Sequence, residues 1–374
     1  MKHEDVNAIL SKYDPKNITI ASLGGHVALD VVAGAKMHGF RTLVIARKDR
    51  ARPYAKYLRT DAEKGLGCVD EVIEVKKFSD LLDEKIQETL RSKNTLLAHG
   101  RYFWVYFDFK DVEEKLRVPF IGSRSLLRLE ERDQSPNQYD VLHSASIRTP
   151  RIFAKPEEID RLTLTKVNNA TRTYERENFF ARTPQEWHAV AQEKITSGAV
   201  AKADMQKAVI EEFVLGAPIN FNFFFSPLHN RLELMGTDIR RQTSLDGWLR
   251  LPASEQLKLQ GAPSHIETGH VAVTVKESLL EKAYEAGEKF ITACKKYDSR
   301  GIVGPFALQG AIDTDGKKEE LVIFDVSFRT PGSPGIAATP YSTYLFGRPV
   351  SMGERIAMEV KEAVESGRLG DICS

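Results

Sequence analysis

The stretch Ile20-Ala21-Ser22-Leu23-Gly24-Gly25-His26-Val27-Ala28-Leu29 passes from a β-rich run into a helical one through two glycines and a histidine. The strand signal begins at Asn17 and runs to Ser22. Beyond the glycines, Val27, Leu29, Val31, Val32, Ala35 and Met37 mark a helix that Gly39 closes. Thr42-Leu43-Val44-Ile45-Ala46 reads as a second buried strand and Glu71 to Val75 as a third. A helical pattern from Leu81 to Leu90 leads to a fourth strand, Thr95-Leu96-Leu97-Ala98. Strand and helix in alternation predict a parallel sheet with helices on both faces. Ligands of such sheets bind beyond the carboxyl ends of the strands. That rule places Gly24, Gly25, His26, His99, Gly100 and Arg101 at the mouth of a candidate site.

Further along, Ser123 to Glu131 and Gln138 to Ser144 read as helical, and Pro150 opens a new region. Leu162 to Val167 reads as a strand, with Asn178 to Ala181 as its hairpin partner. Thr183-Pro184-Gln185-Glu186 is a helix start, with a capping threonine, proline at the first helical position and a glutamate completing the capping box. That helix reaches about Thr196, and a strand follows at Ala208 to Val214. Such a β-β-α-β unit resembles a small nucleotide-clasping subdomain. In the last third, strands are expected at Asn220 to Phe225, Leu232 to Thr237, Gly304 to Ile312 and Leu321 to Ser327. The turn Asp313-Thr314-Asp315-Gly316 joins the last two. An amphipathic helix spans Ser278 to Lys296, and a Gly/Pro-rich loop from Thr330 to Pro340 precedes a final helix, Met352 to Ser366.

Composition narrows the functional classes. The 374 residues suit two or three packed subdomains. With 53 basic and 52 acidic residues the formal charge is +1, so no nucleic-acid footprint is expected. Three scattered cysteines, Cys68, Cys294 and Cys373, read as reduced thiols of a cytoplasmic protein. Met1 to Pro15 is too polar for a signal peptide. No apolar run nears the roughly 20 residues of a membrane span, so no membrane partner is expected. The aromatic run Tyr102 to Phe107 is short and flanked by Arg101 and Asp108, and reads as core packing or a subunit interface.

Several ordered stretches resemble the formate–phosphoribosylaminoimidazolecarboxamide ligase family of the ATP-grasp superfamily. Besides the opening stretch they are Gly34-Ala35-Lys36 to Gly39-Phe40, Val118-Pro119-Phe120-Ile121-Gly122 and Ile210-Glu211-Glu212-Phe213-Val214-Leu215-Gly216-Ala217-Pro218. Leu232-Glu233-Leu234-Met235, Gly304-Pro305-Phe306-Ala307-Leu308-Gln309-Gly310, Phe324-Asp325-Val326-Ser327-Phe328-Arg329 and Gly347-Arg348-Pro349-Val350-Ser351-Met352-Gly353 follow in register, then Ile356-Ala357-Met358-Glu359. The resemblance implies an α/β protein, α+β in its C-terminal part. It would comprise a Rossmann-like preATP-grasp domain over 1–122, linker helices and a clasping subdomain over 123–218, and a C-terminal ATP-grasp subdomain over 219–374. It also implies an archaeal enzyme of purine synthesis, assembled as a trimer or hexamer. Such an enzyme uses ATP, Mg2+ or Mn2+, and formate to formylate the 5-amino group of 5-aminoimidazole-4-carboxamide ribonucleotide (AICAR), giving its formamido product (FAICAR) on the way to IMP.

Site roles follow from that resemblance, residue by residue. Lys166 stands where the family places a phosphate-binding lysine, and Glu212, Phe213 and Val214 where its hinge holds adenine and ribose. His26 matches the histidine beside ribotide and formate, and Arg329 the arginine after the metal-binding strand. Four departures stand out. Gln309 and Asp325 occupy the positions of two metal-binding glutamates, so one charge is lost and the other sits on a shorter arm. Arg101 replaces a serine, and Ser244 a substrate-binding asparagine. The clasping loop from Asn168 to Glu177 has no glycine, leaving Arg172 and Arg176 as side-chain phosphate contacts. Arg240 and Arg241 are further candidates for anions. Three readings stay open: the parent ligase, a paralogue with another carboxylate or amine, and a catalytically silent nucleotide-binding subunit.

Overall fold

The computed structural model describes residues 1–132, 134–167, 178–259, 263–314 and 318–374. Strands β1 (Thr19–Leu23), β2 (Arg41–Arg47), β3 (Glu71–Val75), β4 (Thr95–Ala98) and β5 (Phe120–Ile121) form a sheet in the order β3-β2-β1-β4-β5. All its pairs are parallel. Every residue of β1 is buried, as expected for a strand covered on both faces. The helix Ala28–Met37 covers one face, and the C-terminal helix Met352–Glu365 packs on that helix. Gly34 and Gly353 lie at the crossing, where a Cβ on either would run into the other helix's backbone. The last residues also return to this sheet: Phe120 N–H donates to the Ser374 carbonyl at 3.0 Å.

The other face of the sheet is filled by Phe78, Leu81, Leu90, Phe103 and Phe107. The aromatic run is therefore core. It folds into the helix Arg101–Tyr106, with Phe103 stacked on Phe107 and edge-on to Phe120, while Tyr102 and Tyr106 pack against Phe78. Between Ser123 and Glu131 only a 3₁₀ turn forms, Leu127–Glu130, where a helix was expected. Buried Arg124 holds this segment by tertiary bonds, donating to the Val112, Val118 and Ser374 carbonyls.

A second, antiparallel sheet comprises β6 (Ile152–Phe153), β7 (Thr163–Lys166), β8 (Asn178–Ala181) and β9 (Val209–Glu212), in the order β6-β9-β7-β8. The helix Pro184–Thr196 backs it; Thr183 Oγ1 accepts from Glu186 N–H at 3.2 Å, and Glu186 accepts from Arg182 N–H at 2.7 Å. Trp187 pins helix to sheet, its indole N–H donating to Thr165 at 2.9 Å.

The third sheet is antiparallel: β10 (Ala217–Ser226), β11 (Arg231–Ser244), β12 (His265–Ala272), β13 (Gly304–Thr314) and β14 (Glu319–Ser327), in the order β12-β11-β10-β13-β14. The turn expected between β13 and β14 falls partly outside the described residues. The helix Leu280–Cys294 packs on this sheet through Ala283, Phe290 and Ile291, against Phe221, Phe223 and Phe306. β11 runs to Ser244, well past the expected end at Thr237, because it pairs with β12 over Asp238 to Ser244. No helix of the described residues is long and apolar enough to cross a membrane.

Candidate active site

The third sheet carries a polar row on one face. Asp238 pairs with Asn220, Asn220 with Gln309, and Gln309 with Asp325, across β11, β10, β13 and β14. Directly opposed residues point to the same face. On the outer pair, Arg240 opposes His270. Asp238 is fully buried, and such a carboxylate needs partners. Asn220 donates to it at 3.1 Å, Asn222 at 2.6 Å, and His270 Nδ1 completes the set.

Glu267 is the hub. His26 Nε2 lies 2.7 Å and His270 Nε2 2.9 Å from its Oε1, with Arg240 Nε 3.6 Å and Arg101 Nη1 3.7 Å from its Oε2. Burial alone would raise its pKa. The hydrogen bonds from His26 and His270, with the charge of Arg240, override that and hold it well below the usual range. Burial likewise works against a charged His270, but its bonds to Asp238 and Glu267 bring its pKa up to about 9. Carboxylates only accept, so both ring nitrogens donate and His270 is an imidazolium between two anions.

His26 follows β1, Arg101 opens the helix after β4, and Arg329, Pro331 and Gly332 follow β14. With Asp238, Asn220 and Gln309 of the polar row they line a narrow cleft, open to solvent, between the carboxyl end of the parallel sheet and the face of the antiparallel one. Of the six positions the strand-end rule marked, His26 and Arg101 line this cleft. His99 lies behind them, fully buried; burial first, then Arg329, takes its pKa down to about 3, so the ring is neutral. Arg329 Nε lies 3.4 Å from buried Glu130, which also accepts from Phe328 N–H at 2.8 Å. Ser244 does not line the cavity. It is exposed at the end of β11, its hydroxyl accepting from Ser264 N–H at 2.8 Å.

A second cluster adjoins through Asp325. Arg132 donates to Asp325 Oδ1 at 2.9 Å, and Arg240 Nη2 lies 3.3 Å from Oδ2. Lys166 pairs with buried Glu211, which also accepts from Tyr139 at 2.6 Å, and its ammonium sits 5.7 Å from the centre of the Phe324 ring. Burial lowers the pKa of Lys166 despite Glu211. Glu212 meets Arg161 at 3.1 Å, and Phe213 packs edge-on against Phe180. Arg172 and Arg176 lie outside the described residues.

The residues fit a resident divalent cation poorly. Gln309 Oε1 accepts from Arg240, its Nε2 donates to Ser327 at 2.7 Å, and both Asp325 oxygens face arginines. The pair brings one formal charge and already faces a guanidinium. Among the described residues no three His, Cys, Asp or Glu side chains group to hold a metal.

A parallel five-stranded sheet, a small antiparallel sheet of four strands and an antiparallel sheet of five make up an ATP-grasp fold, and solved structures share it. The IMP biosynthesis protein PurP from Thermococcus kodakaraensis superposes with TM-score 0.70 at 23% identity, over 95% of this chain and 100% of that one. The ADP complex of purK, an N5-carboxyaminoimidazole ribonucleotide synthetase, superposes with TM-score 0.62 at 13% identity, over 94% and 78%. A family model described as a protein of unknown function (DUF1246) matches residues 20–153, and one described as a domain of unknown function (DUF1297) matches residues 186–374. A Methanopyrus kandleri protein named 5-formaminoimidazole-4-carboxamide-1-(beta)-D-ribofuranosyl 5'-monophosphate synthetase is 35% identical over 99% of this chain and 98% of its own length. A protein of the same name from Methanobrevibacter smithii is 35% identical over 100% and 99%. The chain belongs to this synthetase family.

Sequence reasoning missed Asp238, Glu267, His270, Asn220, Asn222, Arg132 and Glu211. A usable signal existed. Asn220 and Asn222 alternate with Ile219, Phe221 and Phe223, and Asp238 alternates with Arg240, so polar groups recur on one face of otherwise apolar strands.

Proposed function

We propose that the chain is an ADP-forming ligase that uses ATP and formate to convert AICAR to its formamido product in purine synthesis. The observation that carries this reading is the end-to-end likeness to relatives named as that synthetase. Formate is a poor electrophile, so its oxygen first attacks the γ-phosphorus of ATP and ADP departs. The amine of AICAR then attacks the formyl carbon, and the C–O bond to phosphate breaks. Lys166, Arg132 and Arg240 are the cations we assign to the phosphates, with positioning and charge stabilisation as the main sources of rate. Glu212, Phe213 and Val214 are assigned to adenine and ribose, with Arg172 and Arg176 as further phosphate contacts. His26 and Arg329 are assigned to the reacting end and Arg101 to the ribotide, whereas Ser244, outside the cleft, is given no role.

Mg2+ or Mn2+ is proposed to arrive with ATP, most of its ligands being phosphate oxygens and water, rather than as a resident of Gln309 and Asp325. The division into 1–122, 123–218 and 219–374, a homotrimer or homohexamer, and a cytoplasmic location without nucleic-acid or membrane partners complete the reading.

A second reading is favoured by one contact. Arg101 stands within 3.7 Å of Glu267 in the cavity wall, where the family pattern has serine, and suits a co-substrate with an additional negative group. ADP release with ATP, Mg2+, formate and AICAR, each omitted in turn, tests both. Dependence on formate and AICAR supports the parent ligase. Turnover that other carboxylates restore, but formate does not, supports the second reading, and silence beside an active relative refutes both.

A further inference from the structure

We infer that Glu267, fixed from behind by His270 and Asp238, is a positioning residue that holds His26 as proton acceptor for the attacking amine. The inference rests on the ligase reading above. His26 Nε2 is 2.7 Å from Glu267, and an ionised carboxylate only accepts. The proton of neutral His26 therefore sits on Nε2, and Nδ1 keeps its lone pair. Nδ1 lies against Gly332, another cavity residue, where any Cβ would overlap the ring. Glycine there lets the loop after β14 close on the imidazole without displacing it.

Glu267 is itself held. Its Oε1 also takes His270 Nε2 at 2.9 Å, and His270 Nδ1 binds Asp238, which two asparagines anchor. Four side chains thus form a chain, Asp238–His270–Glu267–His26, leading from a fully buried aspartate to the cavity. A carboxylate behind a histidine fixes its tautomer and stabilises the imidazolium that forms. In the second half-reaction the amine nitrogen bonds to the formyl carbon and phosphate leaves with the C–O electron pair. The surplus proton on nitrogen passes to His26 Nδ1 and then to solvent. Phosphoryl transfer from ATP to formate releases no such proton and does not need this chain.

That asymmetry supplies the test. ATP carrying 18O in its β–γ bridge scrambles the label when formate alone is present, if formyl phosphate forms reversibly. For Glu267→Gln, scrambling should stay within about threefold of the parent protein, while kcat with AICAR falls about 100-fold or more, within the usual span for a proton acceptor. KM for AICAR should move less than about threefold. His26→Gln should lower kcat with AICAR at least as far. Parallel loss of scrambling and transfer would show a general structural role and overturn the inference, as would full transfer in both variants. Should Glu267→Gln fail to fold, Glu267→Asp keeps the charge on a shorter arm and must show the same split. No formate-dependent scrambling or turnover in the parent protein would instead remove the ligase reading, and this role with it.

Discussion

Replacing His270 with glutamine removes a cation from between Asp238 and Glu267, and the consequence depends on pH in a calculable way. The side chain is only 11% exposed, so solvent screens it little. Its pKa stands at about 9 in the folded chain against an ordinary 6.5. At ~1.4 kcal/mol for each tenfold change in proton affinity, the difference corresponds to about 3 kcal/mol of stability. Because the folded pKa is the higher one, the contribution is fully present below about pH 6.5 and is lost as pH rises through about 9. Near pH 7.5 about 2 kcal/mol remains. Urea unfolding of the parent protein and His270→Gln between pH 6 and 9.5 gives the gap between them at each pH. That gap should narrow by about 3 kcal/mol toward alkaline pH. A gap that stays constant, or widens, would refute the assignment of an imidazolium at this position.

Three further outcomes are expected. Gln309→Glu restores a second carboxylate beside Asp325 and should tighten Mn2+ binding by the nucleotide-free protein about tenfold or more, read by electron paramagnetic resonance; unchanged affinity would show that Arg240 still keeps the position. Lys166→Met removes a charged contact of about 1.5–3 kcal/mol, so the ATP dissociation constant measured by calorimetry should rise roughly tenfold to 100-fold. Arg355→Met should lower unfolding free energy by about 3–5 kcal/mol, because it removes the buried cation shared by Glu233 and Glu359, which are 0% and 2% exposed and whose other side-chain partners among the described residues are Arg231 and Ser226; a urea midpoint within error of the parent protein would contradict that.

The parallel sheet was legible because β1, β2 and β4 are short, apolar runs, with the helices Ala28–Met37 and Glu84–Ser92 between successive strands. Glu71–Val75 and Thr95–Ala98 form over the expected residues. β12 was not legible. Its sequence His265-Ile266-Glu267-Thr268-Gly269-His270 has few apolar residues and an internal glycine, both poor strand signals. It exists because β11 offers it an edge, a tertiary fact that no local propensity carries. β5 and β6 are two residues each and too short to have a period. Nor did local pattern place the last helix beside the first strand–helix unit; Gly34 and Gly353 make that packing possible, yet in sequence they are two glycines far apart.

The site divides along the same line. Residues at strand ends, His26 and Arg101, were found by topology, while Glu267, His270 and Asp238 emerge only once β10, β11 and β12 are in register. Register also links two of the departures that the resemblance implies. By that resemblance Gln309 stands for a glutamate and Arg101 for a serine, one negative charge fewer and one positive charge more, at positions that are unconnected in sequence. In the fold Arg240 connects them, reaching Gln309 and Asp325 on one side and, at 3.6 Å, Glu267 on the other, which Arg101 also faces. We propose that together they make the cleft more positive, by the charge of one divalent cation, than the family pattern would. For anionic reactants, a wall that gains that charge from its own side chains offsets the loss of a carboxylate pair that would otherwise recruit an ion. On this proposal Gln309 and Arg101 share one physical effect, a more cationic wall with a weaker metal site, in place of two separate defects.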